Sequence, residues 1–135
     1  MKKIIEFPKV FISYAWGTKD YQSKVLSFAT DLMNDGIDVV LDQWSLKEGN
    51  DTYAFMEQSV TDSTITNVLI LLDPNYEKKA DTRDGGVGTE TQIISPEVYN
   101  KVRQEKFLPV VFERGENGEI PKPQYLKTML HFDLS

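Results

Sequence analysis

The chain has 135 residues and a formal net charge of −6, so we expect residues 1–135 to form a single domain with its own core, as part of a longer protein. The acidic balance and the scattered lysines and arginines argue against a nucleic-acid-binding surface, because neutralising phosphates requires clustered basic residues. The absence of cysteine rules out disulfides and thiolate metal sites, and a single histidine makes a zinc site remote, so we expect no metal and a cytoplasmic location.

The N-terminal residues are basic and apolar, but Glu6 and Pro8 interrupt them. The run is too short for a signal peptide or a spanning helix, and we predict no membrane contact. Short runs rich in strand-forming residues then recur along the chain. The predicted strands are Lys9–Tyr14, Ile37–Leu41, Asn67–Leu72, Lys106–Phe112 and Leu126–Leu134.

Between these strands the sequence predicts helices and polar connections. From Tyr21 the apolar residues follow the spacing of one helix face, and Gly36 supplies a C-terminal stop. A second helix begins after Asn50 or Asp51 as N-cap, and a third spans Thr89–Gln104 despite Pro96. Two further segments are predicted as connections without regular structure, Asp73–Gly88 and Glu113–Gln124.

Apolar strands that alternate with amphipathic helices indicate a parallel sheet covered on both faces. The predicted fold class is therefore α/β, a doubly wound parallel sheet. The chain ends before the helix that would cover the last strand. That is expected of a domain trimmed from a longer protein or completed by a partner.

The ligand crevice of an open parallel sheet lies at the carboxyl ends of its strands. After the first strand the chain offers Tyr14, Ala15 and Trp16, and after the second it offers Asp42 and Trp44. Aromatic faces and a carboxylate suit a planar heteroaromatic ring and a ribose hydroxyl. The alternative for both tryptophans is simple packing over the edge of the sheet.

On the second predicted helix, Tyr53 and Glu57 are four residues apart and share a face, while Met56 and Val60 share another. If the second pair faces the sheet, Glu57 becomes a carboxylate at the wall of the crevice. The alternative is a glutamate in an early helical turn that faces solvent.

Two other motifs fit known sites poorly. Asp73-Pro74-Asn75 resembles the phosphoacceptor position of response-regulator receivers, but those proteins need acids after the first strand to hold magnesium, where this chain has Ser13 and Tyr14. The run Gly85-Gly86-Val87-Gly88 lacks the GxGxxG spacing between a strand and a helix. We interpret it as a flexible or capping loop.

Four segments in order resemble TIR domains, and more narrowly the SEFIR-type relatives of bacteria. They are Val10-Phe11-Ile12-Ser13-Tyr14, residues 35–44 (DGIDVVLDQW), Ala54-Phe55-Met56-Glu57-Gln58 and residues 85–94 (GGVGTETQII). The resemblance implies a flavodoxin-like fold with five parallel strands. Many TIR domains cleave NAD into nicotinamide and linear or cyclic ADP-ribose when they assemble, and bacterial members serve anti-phage defence, some fused to a STING domain. NAD is then a substrate, and no cofactor is expected.

The family's catalytic glutamate matches Glu57 most naturally. A carboxylate suits the reaction because departure of nicotinamide leaves an oxocarbenium-like ribose that negative charge stabilises. Aligning the animal axon-degeneration protein through Gln58 places its glutamate on Tyr53 instead, one helical turn earlier. Glu90, in the family's later motif, is the rival carboxylate.

The loop from Asp42 to Asp51 corresponds to the loop through which family members assemble and gate the site. The residues that resemblance assigns to TIR–TIR contact are Trp44, Leu46, Lys47, Glu48 and Gly49. The leading hypothesis is an NAD glycohydrolase activated by self-association. The alternatives are a non-enzymatic homotypic interaction module and, more distantly, an enzyme resembling the nucleoside deoxyribosyltransferases.

Overall fold

The computed structural model describes residues 8–15, 17–41, 58–81, 106–123, 126 and 130–134. The strands in this part of the chain are β1 (Lys9–Ser13), β2 (Asp38–Val40), β3 (Asn67–Leu72), β4 (Phe107–Val111) and β5 (Phe132–Asp133). The helices are α1 (Lys19–Asn34) and α2 (Pro74–Asp81), and residues 58–61 are also helical.

The five strands form one sheet in the order β2-β1-β3-β4-β5. Every neighbouring pair is parallel. In the centre, Ile12 of β1 lies opposite Leu69 of β3, which lies opposite Leu108 of β4. The predicted α/β class with a five-stranded parallel sheet is confirmed.

Apolar side chains bury both faces of the sheet. Along β1 successive residues point to opposite sides, so that Ile12 belongs to one core and Phe11 to the other. The α1-side core contains Val10, Ile12, Tyr14, Tyr21, Val25, Ala29, Val39, Leu41, Leu71, Val110 and Phe112. The opposite core contains Phe11, Ala15, Val60, Ile65, Val68, Ile70, Leu72, Tyr76, Phe107, Val111 and Leu126.

Helix α1 has the boundaries that its sequence encodes. Thr18 is the N-cap, and its Oγ1 accepts a hydrogen bond from Tyr21 N at 3.1 Å. At the other end, Gly36 has φ of 91°, and Ile37 N donates to Leu32 O at 3.0 Å, which is a Schellman termination. The apolar face predicted from Tyr21 onward packs on the sheet in the α1-side core.

The predicted connection from Asp73 to Gly88 is wrong over its first part, because α2 begins at Pro74. Asp73 Oδ1 accepts the amide hydrogen of Tyr76 at 2.9 Å, as an N-cap does, and proline is favoured in the first helical position. The same Asp-Pro-Asn run is common in turns. Local sequence therefore supports both interpretations, and packing of Tyr76 in the opposite core selects the helix.

The last strand is also shorter than predicted. Strand β5 covers only Phe132–Asp133, whereas Leu126 lies outside the strand with its side chain in the opposite core. The predicted helix Thr89–Gln104, the glycine run at 85–88 and the start of the second helix lie outside the described residues. Among the helices that the structure describes, none has the length and apolar character needed to cross a bilayer.

Candidate functional site

The order of the strands reverses between β1 and β3, which are neighbours in space although β2 separates them in the chain. In doubly wound sheets this switch point opens a crevice beyond the carboxyl ends of the two strands. Here those ends are Ser13 for β1 and Leu72 for β3. Strand β4 ends beside them, because Phe112 N donates to Leu72 O at 2.8 Å.

A buried hydrogen bond joins the two sides of the switch point. Ser13 Oγ and Tyr76 Oη are 2.8 Å apart, and both residues are fully buried. Tyr76 lies on α2, so the bond ties the helix after β3 to the end of β1. Because each hydroxyl has a hydrogen-bond partner, neither carries the free-energy cost of an unpaired buried polar group.

Asp73 is a buried carboxyl at the end of β3, with 6% of its surface exposed. Burial, together with a smaller effect of the nearby Glu113 charge, raises its pKa to about 6 against the opposing effect of the Tyr76 amide hydrogen bond. The carboxyl therefore titrates close to neutral pH. Such a group in a ligand crevice is a candidate for binding or proton transfer.

Tyr21 reaches the same region from the first turn of α1. Its ring packs edge-on against Phe112 with centroids 6.1 Å apart. Its hydroxyl is buried and has no hydrogen-bond partner among the residues that the structure describes. Burial is the main reason that the pKa of the Tyr21 phenol lies far above its usual range, and the charges of Asp73 and Glu113 raise it by smaller amounts. The phenol is thus neutral and lies within the field of both carboxylates.

Lys24 closes the side of this region formed by β4. Its ammonium group is 3.2 Å from Glu113 Oε2 and 3.3 Å from Phe112 O, and 4.5 Å from the centre of the Phe112 ring. Both ionic side chains are almost half exposed, so the ion pair contributes little to stability. Its effect is to give the Glu113 carboxylate a contacting cation, whereas no lysine or arginine of the described residues forms an ion pair with Asp73.

The helical residues 58–61 continue the second predicted helix on the face opposite α1. Val60 is fully buried and shares the opposite core with Ala15 and Tyr76. Lys106 Nζ donates to Val60 O at 2.7 Å and to Asp62 O at 2.9 Å. This ammonium group binds one carbonyl in the last helical turn and one just after the helix, and it anchors the helix to the start of β4.

Of the predicted substrate contacts, the structure describes Tyr14 and Ala15. Both are fully buried, with Tyr14 in the α1-side core and Ala15 in the opposite core. Their position at the end of β1 is as predicted, and their contact with a substrate stays a prediction. The other predicted residues lie outside the described part of the chain: Trp16, Asp42, Trp44, Leu46, Lys47, Glu48, Gly49, Tyr53, Glu57 and Glu90.

Sequence reasoning missed three members of this region. Tyr21 was assigned only to the buried face of α1, and Tyr76 fell within a predicted connection. Glu113 was placed at the start of a turn-rich segment. The available signal was position, since Asp73 and Glu113 both come just after apolar strands whose parallel ends meet at one edge. Among the described residues, no group of three or more histidines and carboxylates could hold a metal ion.

Comparison with solved structures supports the fold and indicates the family to which the chain belongs. The chain is similar to a prokaryotic SEFIR domain, with 44% sequence identity, a TM-score of 0.79, and coverage of 92% of this chain and 79% of the other. It also resembles the TIR domain of the Toll-related receptor TRR-2 from Hydra magnipapillata, at 14% identity and a TM-score of 0.62, over 93% of this chain and 82% of that one.

A third similar structure contains the TIR domains of the activated Roq1 resistosome that recognises the pathogen effector XopQ. The identity is 19% and the TM-score 0.52, over 77% of this chain and 57% of the other. These two TIR domains show a shared fold alone. A search of curated proteins gives no significant match.

The family model of the SEFIR domain matches residues 8–135, which is nearly the whole chain. The match includes every strand of the sheet and the switch-point residues from Ser13 to Glu113. Together with the 44% identical solved domain, it shows that this chain belongs to the SEFIR domain family.

Proposed function

We propose that this SEFIR domain self-associates and, once assembled, hydrolyses NAD to nicotinamide and ADP-ribose in bacterial anti-phage immunity. Water adds to the anomeric carbon of the nicotinamide ribose while the bond to the ring nitrogen breaks. Nicotinamide leaves with the bonding electron pair, which neutralises its positive charge, and the water proton passes to solvent. In a cyclising variant, a nucleophile within the ADP-ribose replaces the water.

The observation that carries the proposal is the placement of residues 58–61. They directly follow Glu57, and Val60 packs in the opposite core with Ala15 and Tyr76. Those two residues come from the carboxyl end of β1 and from α2, on either side of the switch point. The helix predicted to carry Glu57 therefore covers the same face of the sheet as these two residues. It ends at the amino edge, where Lys106 Nζ binds Val60 O, so its predicted start lies toward the carboxyl edge that this fold uses for ligands.

In the proposed reaction the Glu57 carboxylate stabilises the positive charge that develops on the ribose as nicotinamide departs. Aromatic contacts to the ring and the ribose are assigned to Tyr14, Trp16, Trp44 and Tyr53, with Ala15 close by. Asp42 accepts a hydrogen bond from a ribose hydroxyl.

Self-association is the proposed switch for this activity. The loop that carries Trp44, Leu46, Lys47, Glu48 and Gly49 contacts the next copy and completes the wall of the crevice. Because the monomer then has an incomplete site, turnover should rise more steeply than in proportion to protein concentration. A scaffold that holds several copies together should have the same effect at low concentration.

The test is nicotinamide release from NAD by the domain at high concentration and on an oligomerising scaffold. Wild type is compared with Glu57→Ala, with the rival Glu90→Ala, and with Glu116→Gln as an exposed control far along the chain. We expect turnover in the wild type and the control, and its loss in folded Glu57→Ala. Loss in Glu90→Ala alone would move the catalytic role to Glu90. Absence of turnover in every assembly would refute the enzyme.

A second candidate is a signalling module that works by homotypic contact alone. It is favoured by membership of the SEFIR family and by three large apolar side chains at alternate positions around β5: Leu130, Phe132 and Leu134 are 92%, 60% and 53% exposed. Contiguous exposed apolar surface is typical of protein contacts. Under this alternative, Glu57 and Trp44 are contact residues, and self-association occurs without NAD turnover.

A further inference from the structure

Two buried polar side chains near the switch point are in unfavourable environments, one because it lacks a hydrogen-bond partner and the other because burial opposes its charge. Within the described part of the chain the Tyr21 hydroxyl has no hydrogen-bond partner, although the residue is only 7% exposed. Asp73 is 6% exposed, and burial disfavours its charged form. Both features weaken the folded state. Groups of this kind concentrate at binding sites, where the ligand supplies the missing interaction.

The two side chains converge on one region. Tyr21 packs against Phe112, the residue that follows β4, and Asp73 follows β3, whose end is hydrogen-bonded to Phe112 N. The charge of Asp73 acts on the Tyr21 phenol more strongly than that of Glu113. Tyr21 also lies beside the start of α2, because Tyr21 Cδ2 and Asn75 Nδ2 are 3.7 Å and 3.8 Å from the point that a Cβ atom of Gly17 would occupy.

Gly17 lies beside both Tyr21 and Asn75. Gly17 is exposed, and a Cβ atom there would lie 3.7 Å from Tyr21 Cδ2 and 3.8 Å from Asn75 Nδ2. These are ordinary contact distances, so a small side chain fits without backbone change. Because Gly17 has no side chain, it places no side-chain atoms over the Tyr21 ring or the Asn75 amide.

The chemistry of the pair selects the kind of ligand group. A cation would satisfy Asp73 but leave the Tyr21 hydrogen without an acceptor, and Asp73 would repel an anion. A hydroxyl accepts from the phenol and donates to the carboxylate at the same time. Glu113 is a weaker competitor for this group because Lys24 already contacts it.

We propose that Tyr21 and Asp73 form a subsite for a ligand hydroxyl, which accepts from the Tyr21 phenol and donates to the Asp73 carboxylate. The ligand that carries this hydroxyl is the ribose from which nicotinamide departs, and this identification rests on the proposed function. The Tyr21 hydroxyl is covered in the ligand-free domain, so binding includes a side-chain rotation of the kind that commonly accompanies complex formation.

The test is the affinity of the whole chain for ADP-ribose, measured by isothermal titration calorimetry. ADP lacks the terminal ribose and serves as the comparison ligand. We expect Tyr21→Phe and Asp73→Asn each to weaken ADP-ribose binding about tenfold, with no change for ADP. Gly17→Val should also weaken the binding of ADP-ribose, because the valine side chain would cover the Tyr21 ring and the Asn75 amide. Glu116→Gln is the control with wild-type affinity.

Thermal unfolding of the same proteins separates ligand binding from a structural role. Under the proposal Tyr21→Phe and Asp73→Asn keep or raise the melting temperature while they lose affinity. Unchanged ADP-ribose affinity in both variants, or no ADP-ribose binding by the wild type, would overturn the subsite. Affinity that depends on both residues in a domain with no NAD turnover would uphold the subsite and overturn the proposed hydrolysis.

Discussion

Replacing Asp73 by asparagine should stabilise the protein at neutral pH. Asparagine has the same shape and is an equally good N-cap, so its side-chain oxygen can still accept from Tyr76 N, 2.9 Å from Asp73 Oδ1 in the wild type. What the change removes is a buried charge. The pKa of Asp73 is raised from 3.8 to about 6.

The size of the effect follows from the two pKa values. The folded state binds the Asp73 proton more tightly than the unfolded state, so protonation favours folding. As pH rises from about 4 to about 6, the unfolded chain releases this proton first and stability falls. A pKa raised by about 2 corresponds to about 3 kcal/mol, fully lost above the folded pKa. The substitution also removes a favourable charge from the N-terminus of α2, which costs about 1 kcal/mol. The expected net gain above pH 7 is about 2 kcal/mol.

The assay is urea unfolding of wild type and Asp73→Asn from pH 4 to pH 8. A gain of about 2 kcal/mol shifts the midpoint by about 1 M urea. The gain should be largest above pH 7 and small near pH 4, where folded Asp73 is protonated and only about half of the unfolded chains carry its charge. Other carboxylates titrate equally in the two proteins and cancel in the difference. A variant less stable than wild type at pH 7.5, or a difference independent of pH, would refute the reasoning.

Two further substitutions test the contacts that surround the site. Tyr76→Phe should lower stability by about 1–2 kcal/mol because it leaves the buried Ser13 hydroxyl without its 2.8 Å partner; chemical denaturation measures this, and a gain in stability would contradict it. Lys106→Met should cost about 1–3 kcal/mol, because the carbonyls of Val60 and Asp62 lose their ammonium donor. Hydrogen exchange should show faster opening of residues 58–61 in this variant, and exchange unchanged there would argue that the ammonium group does not anchor the helix.

The sequence by itself predicted the sheet and its first helix closely. Strand β3 has the predicted boundaries, Asn67–Leu72, and α1 ends at the glycine chosen as its stop. These elements follow from local periodicity and capping, which depend on residues a few positions apart. Family membership followed from motifs spread along most of the chain, and the family comparison confirms it.

The tertiary structure decided which polar groups meet and which lack partners. Ser13 and Tyr76 are 63 positions apart, and Lys106 binds a carbonyl 46 positions earlier. In the sequence Tyr21 is one more residue of an apolar helix face. Only the packing of the described residues shows that its hydroxyl is buried with no hydrogen-bond partner among them. Likewise the sequence around Asp73 is typical of a turn, and only the structure shows that Asp73 is buried and that its pKa is raised. Periodicity specifies which face of an element is buried, whereas the environment of a single polar atom depends on segments that only folding brings together.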